Sequence, residues 1–537
     1  MRTFICIFLL YFNAIASAQE NASLIEIGRK IYETGILING HPIEAKRNDS
    51  FSVTGSKAAC ALCHRFSGMG LAEGASLVPP ITAKALFDKL ELTTIGRQPQ
   101  RAPGVNFIDW PFKTRPSYND ETLARAISQG TSSSGHAFQY LMPRYAVSDQ
   151  DLQALIAYLH TLSSQSSPGI SAKEVHFATV ITPDVSPEKR AAFLQVMRAF
   201  FDDKALNEGP DSQRWHLHIW ALTGLADTWQ AQLNKFNVQQ PVYSLISGLG
   251  DDEWQAIENF CEENHIPCLF PNINQPGSNQ ETHFNFYFSR GSQLEADVMA
   301  KYINDNAEQL EIKNIVILEQ SSVTGLSLAT AKKNNLDIPN IPVTMRTFTG
   351  DPKALIKDIQ RDVNPSTALL LLLNKADLLA LNEHWPIPGQ TKLIMISGLL
   401  GGLENTPLNE NWRKRLLMTY PYDPPVRWNH RMDFNLRPWA AAHKIEPFDE
   451  RMQGNTLAAC NLLYEGMLRL RGQYLREYLI ENIENYPTQM GNAPAPEAYP
   501  RFSLGPGQRF SSKGAHIVKF GGKDLRQLIP EQEWVVP

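Results

Sequence analysis

The stretch "SKAACALCHRFSGMG", residues 56–70, sets Cys60, Cys63 and His64 in the order C-x-x-C-H, and its reading decides how the rest of the chain is understood. Three chemistries use such a cluster. A structural zinc site needs four ligands, and no second Cys/His pair stands nearby at the usual spacing. A redox C-x-x-C follows a strand and opens a helix inside a βαβ unit, and residues 40–60 carry neither pattern. Covalent haem attachment needs two thiols on one turn, to add across the two vinyl groups, and a histidine directly after them to lie under the iron. Cys60, Cys63 and His64 supply all three groups.

Haem attachment of this kind takes place outside the cytoplasm, and the N-terminus agrees. "MRTFICIFLLYFNAIASAQE" has Arg2, an apolar run over 4–12, and the small-x-small site Ala16-Ser17-Ala18. It reads as a secretory signal over 1–18, cut after Ala18. Its apolar run is too short to span a bilayer, and no other stretch approaches ~20 apolar residues. The expectation is a soluble periplasmic protein without a membrane span. At 537 residues, with 43% apolar and 20% charged content, the chain is long enough for two or three folding units. A net charge of -5 and the lack of any dense basic block give no reason for a nucleic-acid partner. Of six cysteines Cys6 falls in the leader; the odd remainder, in an oxidising compartment, leaves at least one thiol unpaired or otherwise used.

Downstream, residues 116–162 read "PSYNDETLARAISQGTSSSGHAFQYLMPRYAVSDQDLQALIAYLHTL". Asn119 or Asp120 caps a helix over 121–129 that Gly130 ends. Ser148-Asp149 caps a second helix with Leu152, Leu155, Ile156, Leu159 and Leu162 on one stripe. Between them lies Leu141-Met142-Pro143. Together with the C-x-x-C-H motif and a helix over 22–35, this segment resembles the class I cytochromes c. The resemblance implies an all-α cytochrome domain over 19–163 with one covalently attached haem c. Cys60 and Cys63 would hold it, His64 would be the proximal iron ligand and Met142 the distal one. Pro79 or Pro80 matches the proline whose carbonyl accepts the proximal ring N–H and so orients the imidazole. Met69 and His136 are the other candidates for the sixth position. With His and Met both on the iron, outer-sphere electron transfer suits the site better than chemistry on oxygen or peroxide.

"HTLSSQSSPGISAKE" (160–174) is rich in Ser, Gly and Pro and reads as a linker, placed at 164–173. Beyond it, apolar runs of strand length recur at 176–181, 215–220, 242–246, 284–288, 314–318, 367–373 and 392–396. Helical patterns lie between them, notably at 188–203, 252–264 and 292–306. Unbroken apolar strands alternating with helices imply parallel sheets covered on both faces, and the length implies two α/β lobes over 174–537. "VYSLISGLGDDEWQAIENFCEENHIPCLFPNIN" (242–274), "FYFSRGSQLEADVMAKYI", "NIVILEQSSVTGLSLATAKK", with Gly325 opening a helix, and the closing "GPGQRFSSKGAHIVKF" resemble the type I periplasmic solute-binding proteins, which include branched-chain amino-acid receptors. That resemblance puts the ligand loops of the first lobe at Asp251, Asn272 and Asn274. A carboxylate at 251 would repel an amino-acid α-carboxylate, so a cationic, hydroxylated or amide ligand fits the trio better. Asp251 also has the character of an N-cap for the helix that follows.

No nucleophile elbow, phosphate-binding glycine loop or H-E-x-x-H occurs, so no catalytic site of its own is expected. His216 and His218 share a strand face, but with no third ligand evident they read as polar strand residues. An oxidising compartment permits a Cys261–Cys268 disulfide, whose geometry the sequence leaves open, and Cys460 reads as a buried thiol in a helix. The aromatic "DWPF" and "PFKTRPSY" segments fit either a docking rim or loop packing. The function expected is one-electron transfer with a periplasmic redox partner such as a dehydrogenase or terminal oxidase, fused to a module that binds a small polar ligand or docks the partner. The alternative is a receptor for an ABC transporter or sensory system with the cytochrome as accessory.

Overall fold

Helix Asp120–Gln129 begins where Asn119 accepts the Thr122 N–H at 2.8 Å, while the Asn119 N–H donates back to the Thr122 hydroxyl at 2.9 Å. It ends on Gly130, whose φ of 68° turns the chain out of the helix. Helix Asp149–Leu159 starts on Ser148, which accepts the Asp151 N–H at 3.2 Å. Both helices stand where the caps place them. In this computed structural model the described residues are 22–48, 51–73, 76–88, 115–139, 141–206, 212–251, 253–277, 282–320, 341–348, 350–386, 391–489, 496–499 and 501–537. The signal segment 1–18, the "DWPF" aromatics and the helix expected at Gly325 lie outside them.

The chain divides into two units, Met1–Ser167 with Leu470–Glu481, and Pro168–Arg469 with Asn482–Pro537. In the first, helix 22–34 packs on helix Asp149–Leu159. Ile31, Tyr32, Leu123, Ile127, Leu155 and Leu159 form its buried core, each worth about 1.5–3 kcal/mol of burial. The all-α expectation needs correction here. Strands β1 (Glu44–Asn48), β2 (Phe51–Thr54), β3 (Leu71–Glu73), β4 (Ser76–Val78) and β5 (Arg144–Ala146) make an antiparallel sheet in the order β2-β1-β5 and a β3-β4 hairpin. The sheet escaped notice because in "EAKRN" Ala45 is buried while Glu44 and Lys46 face out, a pattern too short to stand out, and its partner β5 comes from far along the chain. Residues 470–481 join this unit: the Ser67 N–H donates to the buried Glu481 carboxylate at 2.9 Å.

The second unit holds two sheets. The first lobe is parallel throughout, in the order β10-β9-β8-β6-β7, built from β6 (Glu174–Ile181), β7 (Arg214–Ala221), β8 (Ser244–Ile246), β9 (Cys268–Leu269) and β10 (Asn285–Phe286). The second has seven strands in the order β12-β11-β13-β14-β15-β16-β17. These are β11 (Asn314–Gln320), β12 (Val343–Phe348), β13 (Thr367–Leu372), β14 (Leu393–Ser397), β15 (Leu416–Tyr420), β16 (Ala515–Gly521) and β17 (Gln527–Val535), with the last two antiparallel. Consecutive side chains alternate between two cores. Ile315, Ile317 and Leu370 point into one; Val316, Leu318, Leu369 and Leu371 point into the other. That alternation is why β13 reads as an unbroken apolar run. The closing hairpin lies at 515–535 rather than within 505–520, because β17 is an edge strand of alternating exposure that carries no apolar run. Among the described residues no helix is long and apolar enough to cross a membrane.

Candidate haem centre and ligand crevice

Cys60, Ala61, Leu62, Cys63 and His64 form one short helix entered from Ala59 and left at Arg65, whose φ of 65° turns the chain sharply after the histidine. The two thiols stand three residues apart on that turn, half-buried, and His64 is enclosed. The His64 ring N–H at Nδ1 donates to the Pro79 carbonyl at 3.0 Å, which settles the choice between Pro79 and Pro80. Burial pushes the His64 imidazole down to about 4, against the pull of the Pro79 hydrogen bond, so the ring is neutral at pH 7 with Nε2 unprotonated. Gly70 N–H donates to the His64 carbonyl at 3.0 Å, and the buried Tyr32 hydroxyl donates to the Arg65 carbonyl at 2.6 Å.

Burial pushes the Cys60 thiol up to about 12, with Tyr145 bonded to it pulling the other way. A redox dithiol needs a lowered pKa, so the surroundings of Cys60 speak against thioredoxin-like exchange and suit a sulfur held as a thioether. Met142 is half-buried against the first unit's core. Its loop is pinned from inside by Arg144, whose guanidinium donates to the carbonyls of Phe138 (2.9 Å), Gln139 (3.2 Å) and Met142. Gly130 makes the space, since a Cβ there would stand 2.3 Å from Arg144 Nε. His136 is exposed. The donor set of two thiols, a neutral imidazole and a thioether fits haem c. Arg47 Nε, shielded and without a hydrogen-bond partner among the described residues, offers a cation for an acidic substituent of such a group.

In the first lobe, the strand ends bring Asp251 and Asn272 together. Gly250 N–H donates to the Asn272 carbonyl at 3.2 Å, and Asn272 N–H donates to Gly248 at 2.7 Å. Asn272 Nδ2 donates to Ser247 Oγ and to Thr456 Oγ1, both at 3.1 Å, while its Oδ1 is shielded without a partner among the described residues. Ser247 itself sits at φ 45°, a conformation costing a non-glycine residue of order 1 kcal/mol. Asp251 is ion-paired with Lys189, and it does not cap the next helix, which starts at Gln255 after Trp254. Its charge is therefore already met, from a helix 62 positions earlier that local sequence spacing gives no reason to connect with it. Asn274 lends its carbonyl to the Ser292 N–H at 3.1 Å, at the start of helix Ser292–Asn306. A cavity lined by Phe200, Asp203, Lys204, Trp439, Leu457 and Tyr464 includes none of the three residues. Cys261 and Cys268 are both buried and are not joined by a disulfide, and the buried Cys460 has its Sγ 3.7 Å from Met197 Sδ.

Arg144, Tyr145, Lys189 and Ser247 escaped the sequence reading. Arg144 had a signal, lying two residues after the Met142 that it anchors; the others meet their partners only through the fold.

Residues 54–163 match the family model described as Cytochrome c. No curated protein matches the chain. Among solved structures it is similar to a fatty acid ABC transporter substrate-binding protein from Thermomonospora curvata, at 12% identity and a TM-score of 0.50, covering 70% of this chain and 95% of that one. A leucine-binding protein from Thermotoga maritima aligns at 15% identity and a TM-score of 0.49, covering 68% of this chain and 99% of that one. A branched-chain amino acid transporter substrate-binding protein from Streptococcus pneumoniae, solved with isoleucine, aligns at 12% and 0.48, covering 68% and 100%. The first likeness carries the fold, an α/β binding-protein architecture, and nothing about a ligand.

Proposed function

We propose that this chain, with its cytochrome c segment over 54–163, is an exported monohaem electron carrier fused to a binding-protein module. The observation that carries the reading is the 3.0 Å bond from His64 Nδ1 to the Pro79 carbonyl, on the same turn as Cys60 and Cys63. That bond holds the ring plane and leaves Nε2 as the free donor. Bound there, haem c would supply a one-electron iron couple. Cys60 and Cys63 would anchor it, His64 and Met142 would be its iron ligands, and Arg144 keeps the Met142 loop in place. The redox partner is a periplasmic dehydrogenase or oxidase, and the second module docks it or binds a small polar molecule. The segments proposed are a leader over 1–18, the cytochrome over 19–163, a linker over 164–173 and the binding module over 174–537.

The test is full-length protein made with haem-attachment machinery. One haem per chain, low-spin when reduced and closed to carbon monoxide, is the expected result. No covalent haem, or carbon monoxide binding to the native reduced form, would overturn the reading.

A second reading, the solute receptor, is favoured by Asn272 Oδ1, which has no hydrogen-bond partner among the described residues, beside Ser247 at φ 45°. A polar ligand donating to Oδ1 would relieve both the lost hydrogen bond and the desolvation. A thermal-shift screen of the whole protein against amines, alcohols, amides and sugars tests it; a hit lost in Asn272→Ala supports the receptor, and no hit leaves the module as a docking platform.

A further inference from the structure

Four side chains converge at the N-terminal ends of β6 and β7: Glu174 and His176 from one strand, His216 and His218 from the other. Residues two apart share a sheet face, and the register sets His176 directly beside His216 and Ala178 beside His218. Farther along, the same face carries Ala178, Val180 and Trp220 into the core. Ligands of open α/β sheets sit at the opposite, carboxyl ends of the strands, so this cluster is separate from the crevice at Asp251 and Asn272.

The His176 and His216 rings stack with centroids 4.8 Å apart and planes 16° from parallel. The Nε2 atom of each lies 4.0 Å from the Glu174 carboxylate, to different oxygens. That is too long for a hydrogen bond, so the carboxylate satisfies neither ring. His216 Nε2 is shielded and has no hydrogen-bond partner among the described residues. Meanwhile His176 Nδ1 is 3.0 Å from His218 Nε2. With the proton on Nδ1 and donated to His218, His176 Nε2 carries a free lone pair on the side of Glu174. An imidazole oriented by a hydrogen bond at its far nitrogen is how protein ligands to metals are usually held.

We propose that Glu174, His176 and His216 bind one divalent transition-metal ion, zinc or copper, with His218 orienting His176. One ligand atom from each of the three lies within 4.8 Å of the others. In a tetrahedral N/O site with bonds of about 2.0–2.1 Å the ligand atoms stand about 3.3 Å apart, so closing the widest gap asks for about 1.5 Å, shared between the side chains on its two sides. Glu174 at 52% and His216 at 42% exposure have that freedom. Two imidazoles and a carboxylate favour zinc, copper or nickel over magnesium or calcium. The bound ion would tie the edge strand β7 to β6 and leave a fourth position to water.

The experiment uses tag-free, full-length holoprotein, stripped with a chelator that leaves covalent haem in place. It is then loaded with zinc or copper, gel-filtered and analysed for metal. One equivalent beyond haem iron is expected, with Glu174→Gln and His216→Gln each weakening the binding at least tenfold and His218→Gln about 10–100-fold. Retention of no second metal, or binding unchanged in Glu174→Gln and His216→Gln, overturns the site. If His216→Gln fails to fold, Glu174→Gln at the exposed strand end decides alone.

Discussion

Gly28 lies so close to the Ala154 carbonyl that a Cβ built on it would stand 1.9 Å from that oxygen. The two residues mark where helix 22–34 and helix Asp149–Leu159 cross backbone to backbone. Gly28→Ala gains about 1 kcal/mol of helix propensity but forces the helices apart at a cost of about 1–3 kcal/mol or more. A lower melting temperature and reduced haem incorporation are expected, read by thermal unfolding and haem absorbance. Wild-type melting would show that the crossing relaxes freely.

Met142→Ala should leave haem content unchanged, because attachment rests on Cys60 and Cys63, and should let carbon monoxide bind the native reduced protein. Met69→Leu serves as the contrast and should stay closed. A reversed pattern would move the sixth ligand to Met69.

Arg144→Ala removes donors to three loop carbonyls, a loss of about 1–3 kcal/mol. The haem stays attached while the Met142 loop opens more often. Carbon monoxide association should rise above wild type but stay below Met142→Ala, measured by flash photolysis or mixing. A rate equal to wild type would make Arg144 irrelevant to the loop.

Glu295 is buried among the Ser397 hydroxyl and the Gly398 and Leu399 N–H groups, with Thr419 alongside. Burial pushes its carboxyl up to about 7 in spite of these donors. A folded-state pKa above the unfolded one means stability is fully present at low pH and is lost as pH rises through about 7. The loss across the window from the ordinary carboxylate range to about 7 is of order 3 kcal/mol at ~1.4 kcal/mol per unit. Glu295→Gln should flatten this part of the profile, seen as the difference between variant and wild-type melting from pH 4.5 to 8. Parallel profiles would mean that the four donors already keep the carboxylate ionised.

Local signals were legible wherever the physics is local. The Asn119 cap, the Gly130 stop and the Ser148 cap each act within four residues, and their helices stand where those residues require. The doubly covered sheets were legible for a related reason, since burial on both faces leaves an unbroken apolar run. The β1, β2 and β5 sheet was not, because a short strand with one buried side chain has no pattern of its own.

By itself the sequence determined the Cys60, Cys63 and His64 turn and the change to α/β patterning after the first unit, both carried by residues within a few positions of one another. Only the tertiary structure decided that Lys189 neutralises Asp251, that residues 470–481 join the first unit, and that Glu174 and His176 face His216 and His218. Each of these depends on strand register or helix placement between distant segments. Those are set by how the whole core packs.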